Sequence, residues 1–310
     1  FYVKASNFTP FIPPSQPAAA TTGDGAVSAQ MAQPLWQWAT GMTPSIYGVP
    51  GILSGAALVF FAFLGFDVVA TASEETKNPH KNVPLGIGVG MLLIIVMYML
   101  VAIVTTGMVS YKDLAKQDSP SLATAFELVG ADWAAKIISF GIVLGLATVI
   151  MVLLLGLTRI VFAMSRDGLL PRGLSKTGKH GTPAVLQIVV GVVVALVAAL
   201  FDIGVLSDMV NIGTLSAFTL VAISIPIMRK KRPELPRAFR MPGNPWVPIL
   251  IALANFWLML NLSVLTWIRL LVWLVIGFAI YFSYGYWHAR LGKGDLSETL
   301  SDETDRAVNG

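Results

Sequence analysis

The sequence contains no cysteine, only three histidines among its 310 residues, and charged residues at only 12% of its positions. The absence of cysteine excludes disulfides, thiolate metal sites and cysteine nucleophiles. His80, His180 and His288 lie far apart, in or beside loops between apolar stretches, and make poor metal ligands. A phosphate-binding loop of the pattern G-x-x-x-x-G-K-[ST] is also missing. We therefore expect neither a metal nor a cofactor, and the sequence offers no support for ATP hydrolysis.

The shortage of charge is concentrated in seven long apolar stretches, which together hold nearly half of the chain but only one ionisable residue, Asp67. A helix needs about 20 apolar residues to cross the roughly 30 Å hydrocarbon core of a bilayer. Each stretch is about this long, so the sequence predicts an all-α membrane protein with seven transmembrane helices. The stretches are 51–72, 85–108, 137–157, 183–201, 209–228, 246–266 and 270–287.

The basic residues indicate how the chain is oriented in the membrane. Of the 21 lysines and arginines, 16 follow the first, third, fifth or seventh stretch. Because cytoplasmic loops carry an excess of basic residues, we expect residues 1–50 outside and the C-terminus in the cytoplasm of a plasma or bacterial inner membrane. This topology explains the basic run 229–240, so we expect the lipid bilayer, and not nucleic acid, as the partner of these charges.

The beginning of the chain is unusual for a membrane protein. Residue 1 is Phe and not Met, and the apolar residues 1–3 are typical of the end of an earlier span. An odd number of spans that begins outside fits a chain whose N-terminal part is missing. We therefore expect a fragment that holds only one wall of any membrane site.

The first apolar stretch combines a glycine with the one intramembrane charge. Gly65 costs a helix interior about 1 kcal/mol relative to Ala, and a charge such as Asp67 costs a few kcal/mol at membrane depth. Non-helical backbone is tolerated there only where it is packed in protein or lines a polar cavity. The pattern predicts a helix interrupted at Gly65 for a functional purpose. The structural alternative is that Asp67 is simply a buried carboxylate paired with a hydroxyl or an amide.

The aromatic and charged residues around this stretch allow two interpretations each. Phe60, Phe61, Phe63 and Phe66 either face lipid as apolar bulk or, for one or two of them, form a lid over a site. Glu74 and Glu75 are either a solvated helix end, where ion pairs contribute little, or an inner gate. A gate would pair them with a basic residue such as Arg159 or Arg166.

Three groups of residues match motifs of one family of membrane proteins. Residues 60–67 read Phe-Phe-Ala-Phe-Leu-Gly-Phe-Asp, and Glu-Glu-Thr-Lys-Asn-Pro follows at 74–79. Residues 163–171 read Ala-Met-Ser-Arg-Asp-Gly-Leu-Leu-Pro, and residues 242–248 read Pro-Gly-Asn-Pro-Trp-Val-Pro. Across residues 51–290, the chain resembles the amino acid permeases of the amino acid–polyamine–organocation superfamily, and within it the cationic amino acid transporter branch.

The resemblance implies a fold of two five-helix repeats with inverted topology and two further helices. The seven spans would correspond to helices 6–12 of that fold. Residues 1–50 would form an outer loop and 51–228 the second repeat. Residues 229–288 would form a basic loop and the last two spans, and 289–310 a cytoplasmic tail.

The resemblance also implies a substrate site, because the first helix of each repeat is broken in such folds and its free backbone groups bind the substrate. The carbonyls of Phe61, Ala62 and Leu64 would receive the substrate α-ammonium, and the Phe61 ring would close over it. Asp67 would sense the substrate or a proton. The implied substrate-binding residues are Phe61, Ala62, Phe63, Leu64, Gly65 and Asp67, and the implied gating residues are Phe61, Glu74, Glu75 and Arg159.

The expected function is secondary active transport of free amino acids by alternating access, with a proton as the coupling ion. The branch name suggests arginine or lysine as substrate, although bacterial members are broader. Two alternatives remain open, an amino acid sensor on the same scaffold and an intramembrane enzyme with Asp67 as acid or base. An enzyme would need a second catalytic group at membrane depth, and none is visible.

Overall fold

The computed structural model describes residues 2–17, 31–42, 45, 47–71, 76–117, 121–171, 173, 183–233 and 243–289. No β-strand forms among them apart from two isolated backbone bridges, Pro17–Ser45 and Pro34–Ser263. The rest of the regular structure is helical. This confirms the predicted all-α fold.

Helices account for most of the described residues. They are α1 (Leu35–Thr40), α2 (Gly48–Val59), α3 (Phe66–Thr71), α4 (Pro79–Met108), α5 (Tyr111–Leu114), α6 (Leu122–Leu128), α7 (Asp132–Arg166), α8 (Ala184–Leu200), α9 (Ile203–Lys231), α10 (Trp246–Leu260), α11 (Val264–Ile280) and α12 (Tyr286–His288). Two 3-10 turns, Ala5–Phe8 and Phe60–Phe63, and a π-helical segment, Tyr281–Gly285, complete the described helical structure.

Four helical segments of the described residues are long and apolar enough to cross a bilayer, and three shorter ones are also apolar. The long segments are Lys81–Met108, Asp132–Arg166, Ile203–Lys231 and Val264–His288, and the shorter ones are Gly48–Phe63, Ala184–Leu200 and Trp246–Leu260. Each of the seven predicted stretches therefore falls on an apolar helix, as an integral membrane protein requires. The inverted-repeat relationship between the helices remains a prediction.

The boundary between the last two spans differs from the predicted one. The sixth stretch was expected to run to residue 266, but α10 ends at Leu260 and α11 begins at Val264. Asn261 makes the turn, because its side-chain amide donates to the Trp257 carbonyl at 2.8 Å and its Oδ1 accepts the Trp36 indole N–H at 2.9 Å. Because the residues on both sides of Asn261 are apolar, the hydropathy pattern did not indicate this turn.

The earlier start of α11 and the length of α9 bring two further ionisable residues into helices that can span a membrane. Asp208 lies in α9 and Arg269 lies in α11, each just outside its predicted stretch. The Asp208 Oδ2 accepts a hydrogen bond at 3.2 Å from the Thr266 hydroxyl, which is fully buried. Asp67 is therefore not the one ionisable residue within the apolar helices.

The short helix α6 follows residue 120. The Ser121 hydroxyl accepts the Thr124 amide N–H at 3.2 Å, and the Thr124 hydroxyl oxygen accepts the Ser121 amide N–H at 3.3 Å. This reciprocal pair is a capping box, which satisfies donors at the start of a helix. Residues 118–120 lie outside the described residues.

The chain divides into two compact units, residues 1–151 with 210–264 and residues 152–209 with 265–310. In the first unit, the Lys4 amide and the Asn7 side chain both donate at 2.8 Å to the Gly107 carbonyl, which lies in the last turn of α4. In the second unit, Gly168 has φ +82° and packs so closely on the His288 carbonyl that a Cβ would overlap it. The end of α4 in the first unit and the end of α12 in the second are thus each contacted by residues of the same unit.

Candidate functional site

The helix that begins at Gly48 is broken in its second half. After α2 ends at Val59, one 3-10 turn covers Phe60–Phe63, Leu64 is extended with φ −66° and ψ 146°, and Gly65 has φ +116°. The α-helical path resumes as α3 at Phe66. The interruption that the sequence predicts at Gly65 is therefore present. All of its residues belong to the first compact unit.

Glycine and aromatic packing explain why the chain breaks at this point. A φ of +116° lies in a region that residues with a side chain rarely adopt, so glycine is required at position 65. Phe60 and Phe63 lie three residues apart and therefore share one face of the 3-10 turn. The Phe218 ring of α9 contacts Phe60 at 6.1 Å and Phe66 at 5.3 Å between ring centroids. Aromatic pairs of this kind stabilise the bent path by about 0.5–1.5 kcal/mol each.

Several backbone groups of the break depend on partners outside a regular helix. The Leu64 amide donates to the Phe61 carbonyl at 3.2 Å. The Ala62 carbonyl accepts a hydrogen bond at 2.8 Å from the Tyr98 hydroxyl of α4. Within the described part of the chain, no hydrogen bond reaches the Leu64 carbonyl. The break therefore presents one carbonyl held by a side chain and one that can accept a new donor.

Asn211 supports the end of α2 from the neighbouring helix α9. Its side chain is fully buried, and its Nδ2 donates at 3.3 Å to the Leu58 carbonyl, in the last turn of α2, where helix carbonyls lose their i+4 partners. The Asn211 Oδ1 is buried without a partner among the described residues. Sequence reasoning missed this residue, although it is the only asparagine or glutamine in the apolar stretch 209–228.

A cavity of about 450 Å³ adjoins the break on the side of these aromatic rings. Phe60, Phe63 and Phe66 form one wall and Phe218 another, and the remaining walls come from aliphatic residues of α4, α9 and α10. Among the described residues that line the cavity, Asn255 is the one with a polar side chain and none is charged. Its volume and lining are typical of pockets for small molecules with an apolar part.

The predicted substrate-binding residues divide between two faces of the break. Phe63 lines the cavity, whereas Phe61, Ala62, Leu64 and Gly65 do not. The Phe61 side chain is 45% exposed, so it does not close over this cavity in the described structure. Its role as a lid stays a prediction.

The charged residues proposed for the site are only partly described. The backbone of Asp67 belongs to the first turn of α3, but its side chain lies outside the described residues, as do Glu74 and Glu75. Arg159 is half-buried in α7. Arg166 is exposed, with its Nε 3.7 Å from the carboxylate of the adjacent Asp167. The inner gate therefore also stays a prediction.

The apolar helices and the interruption at Gly65 are those of a helical integral membrane protein. Residues 15–287 match the amino acid permease family. The chain belongs to this family, which confirms the resemblance noted in the sequence.

Individual relatives show the same relationship. The chain is 47% identical to the branched-chain amino acid permease BcaP of Bacillus subtilis, over 79% of this chain and 53% of that protein. It is 43% identical to the methylthioribose transporter of the same organism, over 80% of this chain and 53% of the relative. It is 44% identical to cationic amino acid transporter 3 of Arabidopsis thaliana, over 61% of this chain and 31% of the relative. The chain thus spans about half the length of the two Bacillus relatives. All three are named as permeases or transporters, not as enzymes.

Proposed function

We propose that the whole protein carrying this chain transports amino acids across a membrane by alternating access, with proton coupling. The observation that carries the proposal is the interruption of an apolar helix at Gly65, next to a cavity that Phe60, Phe63 and Phe66 line. Irregular backbone inside a membrane is retained where it lines a cavity or a binding site. The family of the chain supports the same function.

The backbone of the break suits the α-ammonium group that all free amino acids share. An ammonium group brings several N–H donors and no acceptor, and hydrogen bonds from a charged donor are stronger than neutral ones. The Leu64 carbonyl accepts no hydrogen bond from the described residues, and the Ala62 carbonyl has a second lone pair beside its bond to Tyr98. These two carbonyls could bind one ammonium group without a carboxylate.

The cavity favours an amino acid with an apolar side chain. Its described lining has one amide, from Asn255, and no charge. A cationic side chain would lose its hydration there without an acidic partner, which costs several kcal/mol. The BcaP relative is named for branched-chain amino acids. The second candidate substrate class is arginine and lysine, which the names of the cationic transporter relatives favour.

Uptake by the whole protein in liposomes tests these proposals. We expect radiolabelled leucine to enter faster than arginine, and faster still when the outside is acidified. Preferential uptake of arginine would contradict the apolar substrate class. Uptake that is independent of the proton gradient would contradict proton coupling. Binding of leucine without flux would indicate a sensor and overturn the transport function.

The orientation of the chain is part of the same proposal. We propose a plasma or inner membrane with residues 1–50 outside and the C-terminus inside, since the basic residues favour this arrangement. A cysteine introduced at Ser301 should be protected from an impermeant thiol reagent in intact cells. Its labelling from outside would reverse the topology, and these 310 residues contribute no native cysteine to the readout.

A further inference from the structure

Tyr98 links the helix break to the cavity. Its hydroxyl donates to the Ala62 carbonyl at 2.8 Å, and its ring packs edge-on against Phe63 at 5.1 Å between centroids. Ile95 and Met91 precede it by three and seven residues on α4, so all three share one helix face. Ile95 and Met91 line the cavity, as Phe63 does. Tyr98 and Ala62 do not line the cavity themselves, but their hydrogen bond lies next to Phe63, which does.

The hydrogen bond from Tyr98 fixes a carbonyl that has left its helical position. In a continuous helix the Ala62 carbonyl would be held by the amide of residue 66, but Gly65 redirects the chain before that bond can form. A carbonyl oxygen has two lone pairs, and the hydroxyl uses one of them. The second lone pair remains available to a further donor. The bond from Tyr98 on α4 fixes the position of the carbonyl and therefore the position at which that donor binds.

We propose that Tyr98 is a positioning residue for the α-ammonium of the substrate, because it fixes the Ala62 carbonyl of the helix break. The inference rests on the proposed amino acid transport and adds a residue of α4 to it. The amino acid then binds with its ammonium at the Ala62 carbonyl and its side chain toward the cavity that the neighbouring Phe63 lines. Tyr98 acts through the carbonyl and does not need to touch the substrate.

The variant Tyr98→Phe tests this role, because it removes the hydroxyl and keeps the ring that packs against Phe63. In the whole protein in liposomes, we expect the KM for leucine uptake to rise about three- to tenfold, the effect of one hydrogen bond. The maximal rate per folded protein should change little. The matched control is Tyr111→Phe, since Tyr111 lies on the short helix α5 and packs against Tyr47, away from the break. The control should leave the KM unchanged.

A second measurement, the rise in Tm that leucine causes, reports only on folded molecules. Leucine should raise the Tm of purified Tyr98→Phe protein less than it raises the Tm of the wild type at the same concentration. An unchanged KM with an unchanged leucine-dependent Tm shift would overturn the positioning role. A lower KM would also overturn it, since the hydroxyl would then compete with the ammonium. If the wild type shows neither uptake nor binding of any amino acid, the proposed function itself fails.

Discussion

The substitution Gly65→Ala tests whether the broken path is needed for stability and function. A Cβ at position 65 would meet no atom within 4 Å, so steric overlap is not the cause of any effect. The cost comes from the backbone, because φ is +116° and such strain costs about 1–3 kcal/mol for a residue with a side chain. For a chain of this size, we expect Tm to fall by about 2–6 °C. Leucine uptake should fall as well, since relief of the strain would move the Ala62 and Leu64 carbonyls.

The matched control is Gly191→Ala in α8, which adds the same methyl group in equally open space but in a regular helix. Alanine is a better helix former than glycine by about 1 kcal/mol, so this variant should be as stable as the wild type or more so. Thermal unfolding of both purified proteins in detergent makes the comparison. The reasoning is refuted if Gly65→Ala and Gly191→Ala shift Tm in the same direction and leave uptake intact.

Three further predictions concern residues at the break. Asn211→Leu should lower stability by about 1–3 kcal/mol, measured as a lower Tm, because the Leu58 carbonyl loses a buried donor; an unchanged Tm would mean that this bond contributes nothing. Phe61→Ala should weaken retention of bound leucine if the ring acts as the predicted lid. Tm should not fall, because the ring is 45% exposed and does not line the cavity. Unchanged leucine dissociation would remove Phe61 from the gate. Asp67→Asn should flatten the pH dependence of uptake, since the amide cannot titrate; a pH profile identical to that of the wild type would make Asp67 a structural residue.

The position of the break could be predicted from the sequence because its cause is local. A glycine next to a charge inside an apolar run contradicts an ordinary span, and both residues lie within three positions of each other. The capping box of α6 is local in the same way, since Ser121 and Thr124 are neighbours in the chain. Local sequence patterns therefore located the break.

The groups that support the break could not be predicted in the same way, because they come from distant parts of the chain. Tyr98 lies 36 residues from Ala62, and Asn211 lies 153 residues from Leu58. The turn at Asn261 depends on Trp36, which is 225 residues away. A single sequence shows that these residues are polar within or beside apolar stretches, but the pairing between helices decides what each one contacts.

In the proposed function, the break binds the substrate ammonium through backbone carbonyls and needs no charged side chain beyond Asp67. A carboxylate in the middle of a span costs about 2.5–3.5 kcal/mol on insertion, whereas the redirection of carbonyls at Gly65 requires one glycine and supporting bonds from Tyr98 and Asn211. Carbonyl dipoles attract the ammonium common to all amino acids and make no distinction between side chains. Selectivity is then left to the cavity, where Phe60, Phe63 and Phe218 set the shape. Substitutions at Phe218 should therefore change which amino acid is preferred, while substitutions at Tyr98 should weaken all of them together.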